Sequence, residues 1–588
     1  MGGPPYDCRA NPLGAVRFTL NKAISSVSDP AAFDGKDWGA VDLFRQLFSD
    51  DSALSQVPIL DSSSIKRLQP NTLVRFRGMI QDMLGNEFYA GAYKDGSTWR
   101  TNKYSDVSQL PAASSPDIRV WERHLLHCIP VPGQNSWIES PSEELESCFM
   151  DLAGQHREKR AREDEENESE IEFRYSLAKK MRAVEGPSFS ESLVPGTDGT
   201  PTSLAILPSA DRECLPCLVK IYDSPEADLK LNDVVEFVGV LTFDPNMVSG
   251  RDAHDELSEG LEADMVQLPP GKVPRLHSLV HRKLEAQHFL SAPSLIEPKS
   301  PKMFKEIRES LMKYLTGLLG NDDIAAQFVL LHLLSKVHGR VDDVVVGKLS
   351  LNLTGLNKES MSIFGTRLNH ALKSLLPFTQ SIPLTIEYLN TISLAPKKDY
   401  QINRLVPGAL QLADGTHLTF DETQLQSGTL NSVGVENARL LKNLLEYQKL
   451  EYDFQYYKME MSADVQVLIF SKGKSNTMPA DLVVPFQPSE ANSFESVAPE
   501  AAETWRWYLA TCRTLPYSIG QEIQQVVEND LVAVRQADRS LGSQDLSRLL
   551  TMARLMSASF GETTLSLEHW QMVLELERLG RERLKLNL

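Results

Sequence analysis

Cysteine is scarce in this chain and shows no pattern. Six cysteines are spread over 588 residues, at positions 8, 128, 148, 214, 217 and 512. That scatter excludes a disulfide framework and fits a reducing compartment. Cys214-Leu215-Pro216-Cys217 is a lone C-x-x-C pair. A structural zinc site needs four ligands, so no metal is expected. Long apolar runs are missing too: none approaches the roughly 18 residues of a membrane span. No signal-peptide pattern opens the chain, so a cytosolic or nuclear location is expected. Basic charge is in deficit, with 60 Lys and Arg against 79 Asp and Glu and a net charge of −19. A basic face is what grips DNA phosphates. The deficit therefore argues against sequence-independent DNA binding as the main activity, although it does not exclude a local basic patch.

A further absence concerns phosphate chemistry. Leu410-Gln411-Leu412-Ala413-Asp414-Gly415-Thr416-His417-Leu418-Thr419-Phe420-Asp421-Glu422 reads as strand, Asp-Gly turn, strand and acidic pair. Such a pair, Asp421 and Glu422, is how P-loop ATPases place one carboxylate near Mg²⁺ and another near the attacking water. That chemistry also needs G-x-x-x-x-G-K-[ST], whose amides cradle phosphates and whose Lys neutralises them. The nearest counterpart, Gly355-Leu356-Asn357-Lys358-Glu359-Ser360, is too short and lacks the second Gly. It also sets Glu359 where a triphosphate would be repelled. Gly473-Lys474-Ser475 completes no such loop either, because the first Gly would fall at Leu468, inside a strand.

What is present divides the chain into regions. An apolar fraction of 41% over this length supports several cores rather than one. Residues 1–65 read as helical or irregular. Two segments then resemble each other: Leu68 to Ile80 and Leu229 to Leu241 share the frame L-x-x-N-x-h-V-x-F-x-G-x-h, with h apolar. Alternation marks half-buried strands, and the inner Gly suits a bend or bulge of a small OB-like β-barrel. Gly85-Asn86 is expected to turn the chain into a hairpin partner. The barrel region is expected at 66–138 and 213–290. A charged insertion at 139–212 interrupts it, with too little apolar surface to order itself. Lys159, Arg160, Arg162 and Lys179, Lys180, Arg182 form two basic clusters there, a candidate nuclear import signal. Residues 291–486 alternate helix and strand as in a mixed α/β module with a largely parallel sheet. Within it, 384–394 reads as β-structure and 449–470 as a hairpin. A Pro/Ser/Glu linker covers 487–500, and 501–588 reads as an all-helical lid.

This order resembles the AAA+ module of the MCM replicative helicases: strand, phosphate loop, strand ending in Asp-Glu, helix, hairpin, sensor strand and helical lid. The resemblance is closer to the family of MCM-binding proteins, divergent relatives of the helicase subunits. It rests on Val74-Arg75-Phe76-Arg77-Gly78-Met79-Ile80 with Glu87-Phe88-Tyr89, on Lys397-Lys398-Asp399-Tyr400 through Val406, on Tyr452-Asp453-Phe454 and on Met478-Pro479-Ala480-Asp481. It implies a mixed α/β multidomain fold, an OB-like barrel followed by a degenerate AAA+-like module and lid. It also implies a partner rather than an enzyme. Ser471 and its neighbours stand at the sensor position, and no arginine finger accompanies Pro479-Ala480-Asp481. Gln544 replaces a lid arginine, and Asp453 a DNA-facing lysine at the hairpin tip. The implied function is binding to MCM helicase subunits in place of a regular subunit, without catalytic residues or cofactor. Regulation of DNA replication, a role in sister-chromatid cohesion, a nuclear location and indirect chromatin association go with it. Neither membrane nor sequence-specific nucleic acid is an expected partner. Two other readings stay open: an ATPase with an unorthodox phosphate site, and a single-strand binder stacking bases on Phe76, Phe88 and Tyr89.

Overall fold

The computed structural model describes residues 7–25, 38–49, 51–106, 117–138, 215–222, 228–243, 273–290, 301–341, 344–475, 477–489, 499–537, 539 and 541–586. The two basic clusters at 159–162 and 179–182, and Cys214, lie outside them. The described residues fall in one compact unit.

The first sheet is a closed barrel. It is built from β1 (Leu73–Asp95), β2 (Thr98–Thr101), β3 (Ile118–Ile129), β4 (Cys217–Tyr222), β5 (Val234–Thr242) and β6 (Arg275–Lys283). The order is β2-β1-β3-β4-β6-β5, and β5 pairs back onto β1. The two look-alike segments are thus direct neighbours in one barrel, antiparallel, with Phe76 opposite Phe237. Their shared Asn has a physical reason. Asn71 and Asn232 both adopt left-handed backbone, φ 63° and 69°, which Asn tolerates better than most residues. The shared Gly has one as well. A Cβ on Gly239 would come within 2.1 Å of the His277 carbonyl, and one on Gly78 within 2.8 Å of the Ile129 carbonyl. Gly85 corrects the expected turn. β1 runs straight through it as a strand of 23 residues, and Gly85 sits at a register shift against β3 with φ +89°. A bulge, not a hairpin, absorbs the positive φ. Helices Pro12–Ile24 and Ala40–Leu47 bury Val16, Leu20 and Phe44 with Trp121 and Val240 of the barrel.

Beyond helix Pro301–Leu318, Asp322 caps helix Asp323–Leu334 through the Ala325 amide at 3.0 Å. A small hairpin, β7 (Gly339–Val341) with β8 (Val344–Val346), follows. The second main sheet comprises β9 (Leu351–Thr354), β10 (Thr379–Pro383), β13 (His417–Asp421), β16 (Gln466–Phe470) and β17 (Leu482–Pro485). Its order is β10-β13-β16-β9-β17, with every pairing parallel. Counted along the chain, its strands lie 2-3-4-1-5. Between them stands a third sheet, β12-β11-β14-β15, made of β11 (Lys397–Asp399), β12 (Arg404–Val406), β14 (Lys449–Asp453) and β15 (Lys458–Ser462).

Three expectations need correction. No strand precedes the Asp414-Gly415 turn; only His417–Asp421 is extended. Residues 386–391 are a helix, because Thr385 accepts a hydrogen bond from the Tyr388 amide at 3.1 Å and so caps it. The hairpin formed by β14 closes with β15, while β16 joins the parallel sheet. Alternation alone could not choose between those partners. The helical end holds as expected, in helices Pro499–Thr514, Gln521–Ala537, Ser543–Ser559 and Leu567–Leu586. Trp505, Tyr508, Met552 and Trp570 of these helices share a core with Leu351, Leu353 and Leu468 of the parallel sheet.

The barrel and the parallel-sheet module are joined by buried and half-buried polar contacts. Gln81 Nε2 donates to the Leu405 carbonyl at 2.7 Å and Asp82 accepts from the Leu405 amide at 2.8 Å. Asn135 Nδ2 donates to the Leu376 carbonyl at 2.7 Å, and Asn232 Nδ2 to the Tyr452 hydroxyl at 2.8 Å.

Candidate functional site

In open α/β sheets, ligands bind outside the carboxyl ends of the strands, where the strand order reverses. Here that edge gathers Pro383, Asp421, Phe470 and Leu353 in successive register across β10, β13, β16 and β9. The sequence-predicted acidic pair therefore sits at the end of an inner strand.

Asp421 is 7% exposed. Its Oδ1 accepts from the Thr423 amide at 3.0 Å and the Thr423 hydroxyl at 2.5 Å, and its Oδ2 from Gln424 Nε2 at 2.9 Å. All three donors are neutral. The carboxylate caps the short turn Glu422–Gln424 that ends the strand. Glu422 points to the other side. Its Oε1 accepts from the Ser475 hydroxyl at 2.9 Å and the Thr477 hydroxyl at 3.3 Å, and its Oε2 is buried without a hydrogen-bond partner. Burial raises the Glu422 pKa, and the two hydroxyl bonds only partly oppose that rise.

The loop after β9 is engaged by its own chain. Gly355, at φ +85°, donates its amide to the Lys472 carbonyl at 3.3 Å, and the Leu356 amide donates to the Ser471 carbonyl at 3.1 Å. The Ser360 amide is taken by Asn357 Oδ1 at 2.7 Å, which caps the helix that starts there. The segment following β16 thus occupies the Gly355 and Leu356 amides. Lys358 and Glu359 are exposed. Ser471 is buried, with its hydroxyl 2.7 Å from Asn352 Oδ1 and 2.6 Å from the Gly473 carbonyl.

The other predicted positions have structural partners or lie apart. Asp481 pairs with Lys348 at 2.6 Å and accepts from the Ser350 amide at 2.8 Å, tying β17 to the start of β9. Gln544 is exposed on the helix Ser543–Ser559. Asp453 accepts from the Gln455 amide at 2.8 Å at the hairpin tip. The three candidate stacking residues do not form a platform. Phe76 is 2% exposed in the barrel core, Tyr89 packs edge-on against Trp121 and Tyr222, and Phe88 alone is open, at 72%. The described residues contain no group of three or more His, Cys, Asp or Glu able to hold a metal ion. Cys217 faces Cys128 across β3 and β4, and both are buried free thiols.

Sequence reasoning missed a cleft of about 730 Å³ beside Asp421. Lys358, Ser362, Thr366, Thr385, Glu387 and Gln424 line it together with Asp421. One wall includes a π-helical turn, Met361–Gly365. Such turns are rare and recur at functional sites. The sequence signal for it was weak: a Gly at 365 inside an otherwise regular helical pattern.

The geometry can be set beside known proteins. A family model described as mini-chromosome maintenance replisome factor matches residues 44–584. The mini-chromosome maintenance complex-binding protein of Arabidopsis thaliana is 72% identical over 595 residues, covering 100% of both chains. The chain belongs to this family. The complex-binding proteins of Gallus gallus and Homo sapiens are 33% and 32% identical, covering 97% and 98% of this chain and the same shares of their own. For the MCM-binding family, the match spans the barrel, the parallel-sheet module and the helical end. It does not favour one region as the site.

Proposed function

We propose that this chain is a non-catalytic, subunit-like partner of the MCM replicative helicase. In this reading the barrel is of OB type, and residues from 301 onward form a degenerate AAA+-like module with a helical lid. The observation that carries it is the carboxyl edge of the parallel sheet. An acidic pair ends the inner strand β13, yet the loop after β9 gives the Gly355 and Leu356 amides to the carbonyls of Lys472 and Ser471. A triphosphate needs those amides free and a lysine among them. Asp481, where an arginine finger would stand, is consumed by Lys348 and Ser350. In this reading the module keeps the outline of a subunit and an acidic pair, but offers neither the free amide cradle nor the arginine finger that phosphoryl transfer needs.

The relatives' names supply the partner, the MCM complex. A joint made without shared nucleotide is weaker than a working ATP site. The chain therefore takes the place of a regular subunit and regulates the complex in DNA replication, through assembly or unloading from chromatin, with a consequent part in sister-chromatid cohesion. Its place of action is the nucleus, and Lys159, Arg160, Arg162, Lys179, Lys180 and Arg182 assist import. Contact with chromatin runs through the helicase.

The test is a pull-down of the tagged full-length chain from nuclear extract with helicase subunits quantified. Recovery of a subset of MCM subunits with one regular subunit missing is expected. Absence of helicase subunits would overturn the proposal. Changing the six basic residues to Ala should shift the tagged protein toward the cytoplasm.

A further inference from the structure

The cleft beside Asp421 has a chemistry of its own. Its floor carries a carboxylate that is 7% exposed and bonded only to the neutral groups of Thr423 and Gln424. A carboxylate has about four acceptor positions, so Asp421, with three hydrogen bonds, keeps one. Burying a charge without a counter-charge is costly. Glu387 on the wall adds a second negative charge, and Lys358 is the only cation among the lining residues. Counted over the lining, one Lys against Asp421 and Glu387 leaves the cleft net negative. The remaining polar wall, including Ser362, Thr366, Thr385 and Gln424, supplies hydroxyl and amide oxygens that accept hydrogen bonds. A volume of about 730 Å³ admits a short loop of a partner protein as well as a side chain. The π-helical turn Met361–Gly365 forms part of the wall, and Gly365 leaves room for the Met361 sulfur, which a Cβ would approach to 2.2 Å.

We infer that this cleft receives an arginine-bearing loop of an MCM helicase subunit, with the guanidinium on Asp421. Arginine fits better than lysine. Its planar fork of five N–H donors can bond Asp421 and the surrounding hydroxyl and amide oxygens at once, and it is the more weakly hydrated cation. The inference rests on the proposed function and names the contact through which the partner is held. It gives the acidic end of β13 a use that needs no nucleotide.

The experiment measures affinity of the full-length chain for purified MCM helicase subunits at several salt concentrations. Asp421→Asn keeps an oxygen for Thr423 and removes the charge. Thr366→Trp fills part of the cleft and leaves the Asp421 carboxylate itself unaltered in the sequence. Each variant is expected to weaken binding by about thirtyfold or more, the size usual for breaking a desolvated charge pair. Asp421→Asn should also flatten the salt dependence. Thermal unfolding of both variants close to wild type would show that the fold is retained. Wild-type affinity in either variant would overturn the inference while leaving the proposed function standing. Failure of the wild-type chain itself to bind any helicase subunit would remove the proposed function and this inference with it.

Discussion

The barrel and the carboxyl edge of the parallel sheet treat buried charge in opposite ways. In the barrel, Glu236 is 1% exposed and is met by Arg77 at 2.7 Å, Arg282 at 2.8 Å and Arg75 at 3.6 Å. Asp106 is met by Lys220 at 2.9 Å and Arg123 at 3.0 Å. Arg123 also donates to the Tyr222 hydroxyl, which lies 2.6 Å from His277 Nδ1. In the module, the interior polar groups of the sheet are neutral. Gln466 Nε2 donates to the carbonyls of His332, Leu333 and Ser335, and His332 and His417 share a contact of 3.0 Å between their Nε2 atoms. The module's acidic pair at the sheet edge, by contrast, has only neutral donors. The module pairs buried carboxylates elsewhere, Asp322 with Arg583 at 2.7 Å and Glu577 with Arg548 at 2.8 Å, and leaves the two at the sheet edge with neutral donors. That contrast makes the carboxyl edge of the sheet the place to look for a partner's positive charge.

The largest effect should come from breaking the barrel's charge network. Asp106→Ala leaves the buried Lys220 and Arg123 to share the single carboxylate of Glu87 and should cost about 3 kcal/mol or more, read as a lower denaturation midpoint. In the module the comparable damage is steric. Leu330 is fully buried between helices and sheet, and Leu330→Ala should cost about 3 kcal/mol through the cavity it leaves. A cost below about 1 kcal/mol for Asp106→Ala would erase the contrast.

Acid separates the two regions by a smaller margin. Burial holds His332 and His277 down to about 4 and His417 well below its ordinary value, so all three are neutral in the folded state at pH 7. Groups depressed in this way stabilise fully above the unfolded value, about 6.5, and lose that contribution as pH falls toward the folded one. Stability should therefore decline from about pH 6.5 to about pH 4 in both regions. Asp106 adds a second, barrel-specific loss. Burial opposes its ionised form, but His277, Lys220 and Arg123 outweigh burial and hold its pKa far below the usual carboxylate range. Its contribution is present above about pH 4, the unfolded value, and is lost at lower pH. Amide exchange followed from pH 7 to pH 3 should show both regions loosening first and the strands around Asp106 losing further protection below about pH 4.

Much of this was legible in the residues. The repeated L-x-x-N-x-h-V-x-F-x-G-x-h frame marked two strands, and Asn71 and Asn232 prove to share a left-handed backbone. The acidic end of β13 and the helical end were visible as local patterns. What was hidden depends on distant chain segments. Gly85 reads equally as turn or bulge until β3 is paired beside it. β14 alternates in a way that fits either β15 or β16. The Asp106 network draws on Glu87, Arg123, Lys220, Thr242 and His277, which only barrel closure brings together. At the site, the departure of residues 355–360 from a phosphate-loop pattern was readable, but the carbonyls of Ser471 and Lys472 that occupy the Gly355 and Leu356 amides were not, because β9 and β16 become neighbours only in the folded sheet.

On the proposed function, Asp421 serves contact, and neither Asp421 nor Glu422 serves turnover. The most direct measurement is ATP binding and hydrolysis by the purified full-length chain beside Asp421→Asn/Glu422→Gln. The account predicts no hydrolysis above background and no tight ATP binding in either protein. ATP turnover by the wild-type chain that disappears in the double variant would contradict it.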